Sequence, residues 1–239
     1  MLAVMTIFHS QVFMAVLLLS AAAAGWACLR WRMSLSDPWA FRRGMPKWTF
    51  GFLATVVLVT GVITYRHDQL EQRLSRAARD LVGVSVKVHC QSIGGAMVDA
   101  SADLGFVPFG AGGVPEHVTT IKYDQCQDLK AYLSHHGRHP TPDQVVAVHV
   151  LAHESMHMRG ETGEAAAECE SVQRDARMAR DLGASRADAA ALAASYWRVD
   201  YPRMPDGYQS SGCHPGGAMD EHLPDGWPGE TSVGAAAFS

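Results

Sequence analysis

Two runs near the start of the chain, Gln11 to Leu29 and Thr49 to Tyr65, are apolar and free of charged side chains. Neither carries the polar stripe of a globular surface helix. Each is about long enough to cross the hydrocarbon layer as a helix, so the pattern predicts two transmembrane helices. Trp26, Trp31, Trp48 and Tyr65 lie near their ends, where aromatic rings favour the membrane interface. Downstream the pattern changes. His67 to Leu81 mixes charged and apolar positions at helical spacing, and Val84 to His89 alternates like a strand. Short strands are expected at Gly105 to Phe109 and Thr119 to Tyr123, with a helix over Gln125 to Leu133.

A sharper signal begins at Thr141, where Thr-Pro-Asp-Gln supplies an N-cap threonine, a proline at the first helical position and a glutamine three residues after the cap. The helix should run from Pro142 to Arg159 and stop at Gly160. Two more are expected, Gly163 to Leu182 ended by Gly183, and Ser185 to Val199. Beyond Tyr201, prolines and glycines exclude regular helix and leave an extended tail.

Charge changes this picture in two ways. The net charge of -4 and the lack of a basic stripe argue against a nucleic-acid partner. Between the apolar runs, Arg30, Arg32, Arg42, Arg43 and Lys47 are opposed only by Asp37. The positive-inside rule places such a loop in the cytoplasm. The expectation is a multi-pass cell-membrane protein, with residues 1–65 as anchor and residues 66–239 as an extracytoplasmic domain. Four of the five cysteines, Cys90, Cys126, Cys169 and Cys213, then fall in an oxidising compartment and read as two disulfides with three possible connectivities. A four-cysteine zinc site is the competing reading, but there is no C-x-x-C pair.

Within the capped helix sits His153-Glu154-Ser155-Met156-His157, the H-E-x-x-H pattern. A spacing of four puts both imidazoles on one face a turn apart, able to share one Zn²⁺, with Glu154 beside the metal to activate its water. The flanking His149 and Arg159 exclude this helix from lipid. Catalytic zinc needs a third protein ligand and an open position. A helical hairpin about residue 161 brings Glu164 and Glu168 level with the histidines; Glu164 is the slightly favoured ligand, the other acid supporting a ligating histidine. His149 is expected to be a satisfied or solvent-facing histidine, and His135, His136 and His139 to lie in a loop. Tyr196, Tyr201, Tyr208, His214 and His222 are alternative oxyanion donors among which the sequence does not choose.

The stretch HESMHMRGETGEAAAECESVQ, the tail YQSSGCHPGGAMD and a late Trp-Pro together resemble a group of actinobacterial membrane-anchored zincin-like proteins, over about residues 140 to 228. The resemblance implies a metallopeptidase-like fold and a Cys169–Cys213 pair, which would fasten the tail from Tyr208 to Asp220 near the metal. The start H-E-x-x-H-x-x-G is also similar to metzincins, but Gly163 stands at their third-ligand position. The expected fold class is α+β, a mainly helical zincin-like domain with an active-site helix and a glutamate helix, after two N-terminal transmembrane helices. The expected activity is zinc-dependent hydrolysis of peptide bonds in envelope or secreted proteins, with Glu154 as general base. A non-catalytic zinc-stabilised interaction or sensor module and a cell-wall peptide amidase are the alternatives.

Overall fold

A computed structural model describes residues 18–33, 47–97, 99, 101 and 103–229. Residues 18–33 form helix α1. There follow α2 (Lys47–Val82), β1 (Lys87–Cys90), α3 (Ile93–Ala96), β2 (Gly105–Phe106), β3 (Val118–Ile121), α4 (Tyr123–Ser134), α5 (Pro142–Arg159), α6 (Glu164–Val172), α7 (Asp175–Asp181) and α8 (Arg186–Ser195). The chain is mainly helical, with one sheet of three strands. It divides into two compact units at Asp68 and Gln69.

No helix among the described residues is long and apolar enough to cross a membrane. In α2 the uncharged run ends at Tyr65. The same helix then continues through Arg66, His67, Asp68, Glu71 and Arg73. These findings overturn the two N-terminal transmembrane helices, the multi-pass membrane localisation and the extracytoplasmic placement of the domain. The start of the first run, residues 11–17, and the loop residues Asp37, Arg42 and Arg43 lie outside the described residues.

The second half of α2 is an ordinary amphipathic helix. Leu70, Leu74, Ala77, Ala78 and Leu81 recur at helical spacing and are buried in the core of the second unit. Its polar side chains cover the outer edge of β1: Ser75 Oγ accepts from the Val88 N–H at 2.9 Å, and Glu71 Oε1 from the Cys90 N–H at 2.8 Å. Strand β1 pairs in parallel with β3, and β3 pairs antiparallel with β2, in the order β1-β3-β2. One edge of the sheet is thus closed by α2, while β2, the other edge, lies beside α5.

Helix α5 runs over the range its capping predicts. Thr141 Oγ1 accepts from the Gln144 N–H at 3.3 Å, and Gln144 Oε1 accepts from the Thr141 N–H at 3.2 Å. Gly160 ends it at φ 120°, a conformation that favours glycine. The helix expected over Gly163 to Leu182 is instead two, α6 and α7, interrupted at Gln173 and Arg174. Both residues there reach the tail. Gln173 Nε2 donates to the Met219 carbonyl at 3.0 Å, Gln173 Oε1 accepts from the Glu221 N–H at 2.8 Å, and Arg174 forms a fork on the Glu221 carboxylate. The expected third helix also ends early. After Ser195 the chain widens into a π-turn over Tyr196–Asp200.

The disulfides are Cys90–Cys126, which ties β1 to α4, and Cys169–Cys213, which ties α6 to the tail. Trp227 is buried edge-on against Trp197, ring centroids 5.3 Å apart, and seats the far end of the tail. Closing a loop across a sequence separation of 44 should stabilise the fold by about 4 kcal/mol in the chain-entropy account. The double variant Cys169→Ser/Cys213→Ser should therefore lose about 4 kcal/mol in urea unfolding. An unchanged midpoint and slope would show that the tail is held without its crosslink.

Candidate metal centre

Helix α5 is buried on nearly every side from Gln144 to Met158, so its polar side chains must find partners inside the protein. His153 and His157, one turn apart, bring their Nε2 atoms to 3.1 Å from each other. Glu164, the first residue of α6, places Oε2 3.1 Å from His153 Nε2 and 3.4 Å from His157 Nε2. An ion with tetrahedral bonds of about 2.0–2.1 Å holds its ligand atoms about 3.3 Å apart. The triangle therefore matches one face of such a coordination shell.

Proton positions follow from the other ring nitrogens. His153 Nδ1 lies 3.0 Å from Glu168 Oε2, and His157 Nδ1 lies 2.8 Å from the Glu161 carbonyl oxygen. Both partners accept, so each Nδ1–H donates, and the two Nε2 atoms face the same point. Atoms this rich in electrons come so close only with a proton or a metal ion between them. The charge balance agrees. Burial lowers the proton affinity of His153, but the carboxylates of Glu164 and Glu168 outweigh it and raise the pKa to about 9, so without a metal its Nε2–H donates to Glu164, and a bound cation would take the place of that proton. The His153 hydrogen bond holds the Glu164 carboxyl below its usual range. These residues can hold a metal ion.

A second group, His149, His153 and Glu168, also has metal-compatible separations. Its chemistry is different. His149 is 2% exposed, with Nδ1 3.0 Å from Asp175 and Nε2 3.0 Å from Glu168. Burial works against its charge, but Asp175 and Glu168 together raise its pKa to about 10. His149 is therefore an imidazolium donating from both nitrogens, with no lone pair left for a metal. The Tyr196 ring stacks on it at 3.5 Å, where the face of the ring favours a cation, and its hydroxyl donates to Glu168 Oε1 at 2.7 Å. Burial raises the Glu168 carboxyl, yet His149 and His153 hold it well below the usual range. Glu168 thus meets His153 on the side away from Glu164, and orients a candidate ligand rather than replacing one.

Glu154, one residue past His153, is 5% exposed and lies beneath β2. A Cβ at position 105 would sit 2.9 Å from Glu154 Cγ, so only glycine lets the strand approach this closely. Thr119 Oγ1 on β3 donates to the Phe106 carbonyl at 2.9 Å and lies 3.4 Å from Glu154 Oε2. Burial raises the Glu154 carboxyl to about 7 against the lowering influence of His153. Phe109 stands edge-on to His157, ring centroids 6.4 Å apart.

Among the residues named from sequence as oxyanion donors, four are placed elsewhere. Tyr196 is bound to Glu168, the Tyr201 hydroxyl accepts from the Ser210 N–H at 3.2 Å, His214 Nδ1 lies 3.0 Å from the carbonyl of Pro215, and His222 pairs with Asp220. Tyr208 alone reaches the centre, its ring centroid 5.8 Å from that of His153. His135, His136 and His139 join no group of ligand atoms among the described residues. Asp175, Thr119, Gly105 and the Glu161 carbonyl are the parts that sequence reading missed. Only Asp175 left a trace, seven residues after Glu168 on the same helical face.

His149→Ala would strand two buried carboxylates, Asp175 and Glu168, without their counter-charge. Breaking such a buried pair costs about 3–5 kcal/mol. Urea unfolding should show a loss of that size, and a loss below about 1 kcal/mol would show that the His149 charge is not what holds the network.

Comparisons of the chain with protein-family models, with curated proteins and with solved structures return no match.

Proposed function

We propose that the protein is a zinc-dependent peptidase, with His153, His157 and Glu164 as metal ligands, Glu154 as general base, and a peptide or protein as substrate. The observation that carries this reading is the convergence of two imidazole Nε2 atoms and a carboxylate oxygen beside a buried glutamate. Two histidines and a carboxylate suit zinc, and a Glu164 side chain that is 47% exposed leaves the group open to solvent on that side. Bound there, zinc would polarise a peptide carbonyl and acidify a water molecule.

The chain's own residues would do the rest. Glu154 takes the proton of the attacking water on its carboxylate and hands it to the departing amine nitrogen. A carboxyl raised toward neutrality can serve as both base and acid at the same pH. Glu168 keeps His153 in the tautomer that presents Nε2, and the Glu161 carbonyl does the same for His157. The outer edge of β2, beside Glu154, offers backbone groups on which an extended peptide could lie.

Full-length protein should contain about one zinc per chain, and His153→Ala or His157→Ala should abolish it. Glu168→Gln should weaken zinc by about 10–100-fold, less than Glu164→Gln. Glu154→Gln should keep the metal while lowering cleavage of a peptide library by about 10²–10⁴-fold. Zinc binding without hydrolysis of any library peptide would instead favour a non-catalytic module, and hydrolysis confined to cell-wall peptides would favour the amidase.

A further inference from the structure

The tail from Met204 to Trp227 contains no helix or strand, yet it is fixed at several independent points. The Cys169–Cys213 disulfide joins it to α6 one residue after Glu168. Tyr201 Oη takes the Ser210 N–H, Gln173 clasps the backbone at Met219 and Glu221, and Trp227 is buried against Trp197. Within this held segment a turn over residues 205–208, closed by the Tyr208 N–H on the Pro205 carbonyl at 2.8 Å, presents Tyr208. Its ring lies tilted against His153. No side-chain hydrogen bond occupies its hydroxyl among the described residues, unlike the hydroxyls of Tyr196 and Tyr201. A half-buried phenol held in place beside a metal centre, with its O–H uncommitted, is a donor waiting for an acceptor that arrives with the substrate.

We infer that Tyr208 is the hydrogen-bond donor to the carbonyl oxygen of the scissile peptide, delivered to the site by the disulfide-held tail. The inference rests on the peptidase reading proposed above. When water adds to the peptide carbon, the new C–O bond displaces the carbonyl π pair onto oxygen, and the water proton passes to Glu154. Tyr208 donates a hydrogen bond to that oxygen and keeps its own proton throughout. As the C–N bond breaks, the oxygen pair returns to carbon and the Glu154 proton goes to the amine. The Tyr208 donor is thus most useful when the oxygen carries most charge, in the transition state rather than the bound substrate.

Tyr208→Phe keeps the ring against His153 and removes only the hydroxyl. On a peptide that the wild-type chain cleaves, the variant should lose about 10²–10³-fold in kcat with KM within about twofold. Its zinc content and Tm should equal those of the wild type. A phosphinic peptide of the same sequence, which mimics the tetrahedral carbon, should bind the variant more weakly by a similar factor in calorimetry. Wild-type kcat and phosphinic-peptide affinity in the variant would overturn the inference and leave the peptidase reading standing, as would an effect confined to KM. A wild-type chain that holds zinc but cleaves nothing would overturn the peptidase reading, and this inference with it.

Discussion

The centre depends on one buried carboxylate. Glu168 is fully enclosed, and an ionised group without water is tolerated only where donors replace the water. Three do so: the His149 imidazolium, His153 Nδ1–H and the Tyr196 hydroxyl. They come from two levels of α5 and from the π-turn after α8, so satisfying one side chain ties both segments to α6. Asp175 at the start of α7 then balances the far side of His149. The chain Asp175, His149, Glu168, His153 alternates acid and imidazole from the core to the candidate metal position. Each member fixes the proton of the next.

That network accounts for several irregularities in the fold. The glutamate helix breaks at Gln173 and Arg174, whose side chains both hold the tail, and after the break Asp175 begins a new helix facing His149. The wider π-turn places Tyr196 flat on the His149 ring while its hydroxyl reaches Glu168. Interruptions of this kind recur where a backbone is bent to serve a site rather than to extend an element.

Around the centre, the walls are supplied by parts of unlike character. A glycine in a two-residue edge strand allows the sheet to lie directly on Glu154. The opposite side is closed by a Gly- and Pro-rich segment that owes its order to a disulfide, a fork of Arg174 on Glu221 and a buried indole. Because the second half of α2 seals β1, the open edge of the sheet is the one beside the metal position.

The sequence by itself determined the local features. The capping box and Gly160 delimit α5, and a four-residue spacing puts His153 and His157 on one face, because both effects act within a turn or two of helix. The close Glu164–Glu168 repeat marked the acids that meet the histidines, though not which nitrogen each would face. Apolar patterning misled at the N-terminus, where uncharged runs looked like spans but α2 passes without interruption into a charged, core-packing helix. The resemblance already pointed to the Cys169–Cys213 pair that the structure shows, and the sequence already leaned to Glu164 over Glu168. Only the tertiary structure revealed which nitrogens each acid faces, the enclosure of His149 between Asp175 and Glu168, and the approach of Tyr208 to His153. Each of these depends on which groups from distant segments share a volume closed to water, and a pattern along the chain carries no record of that distance.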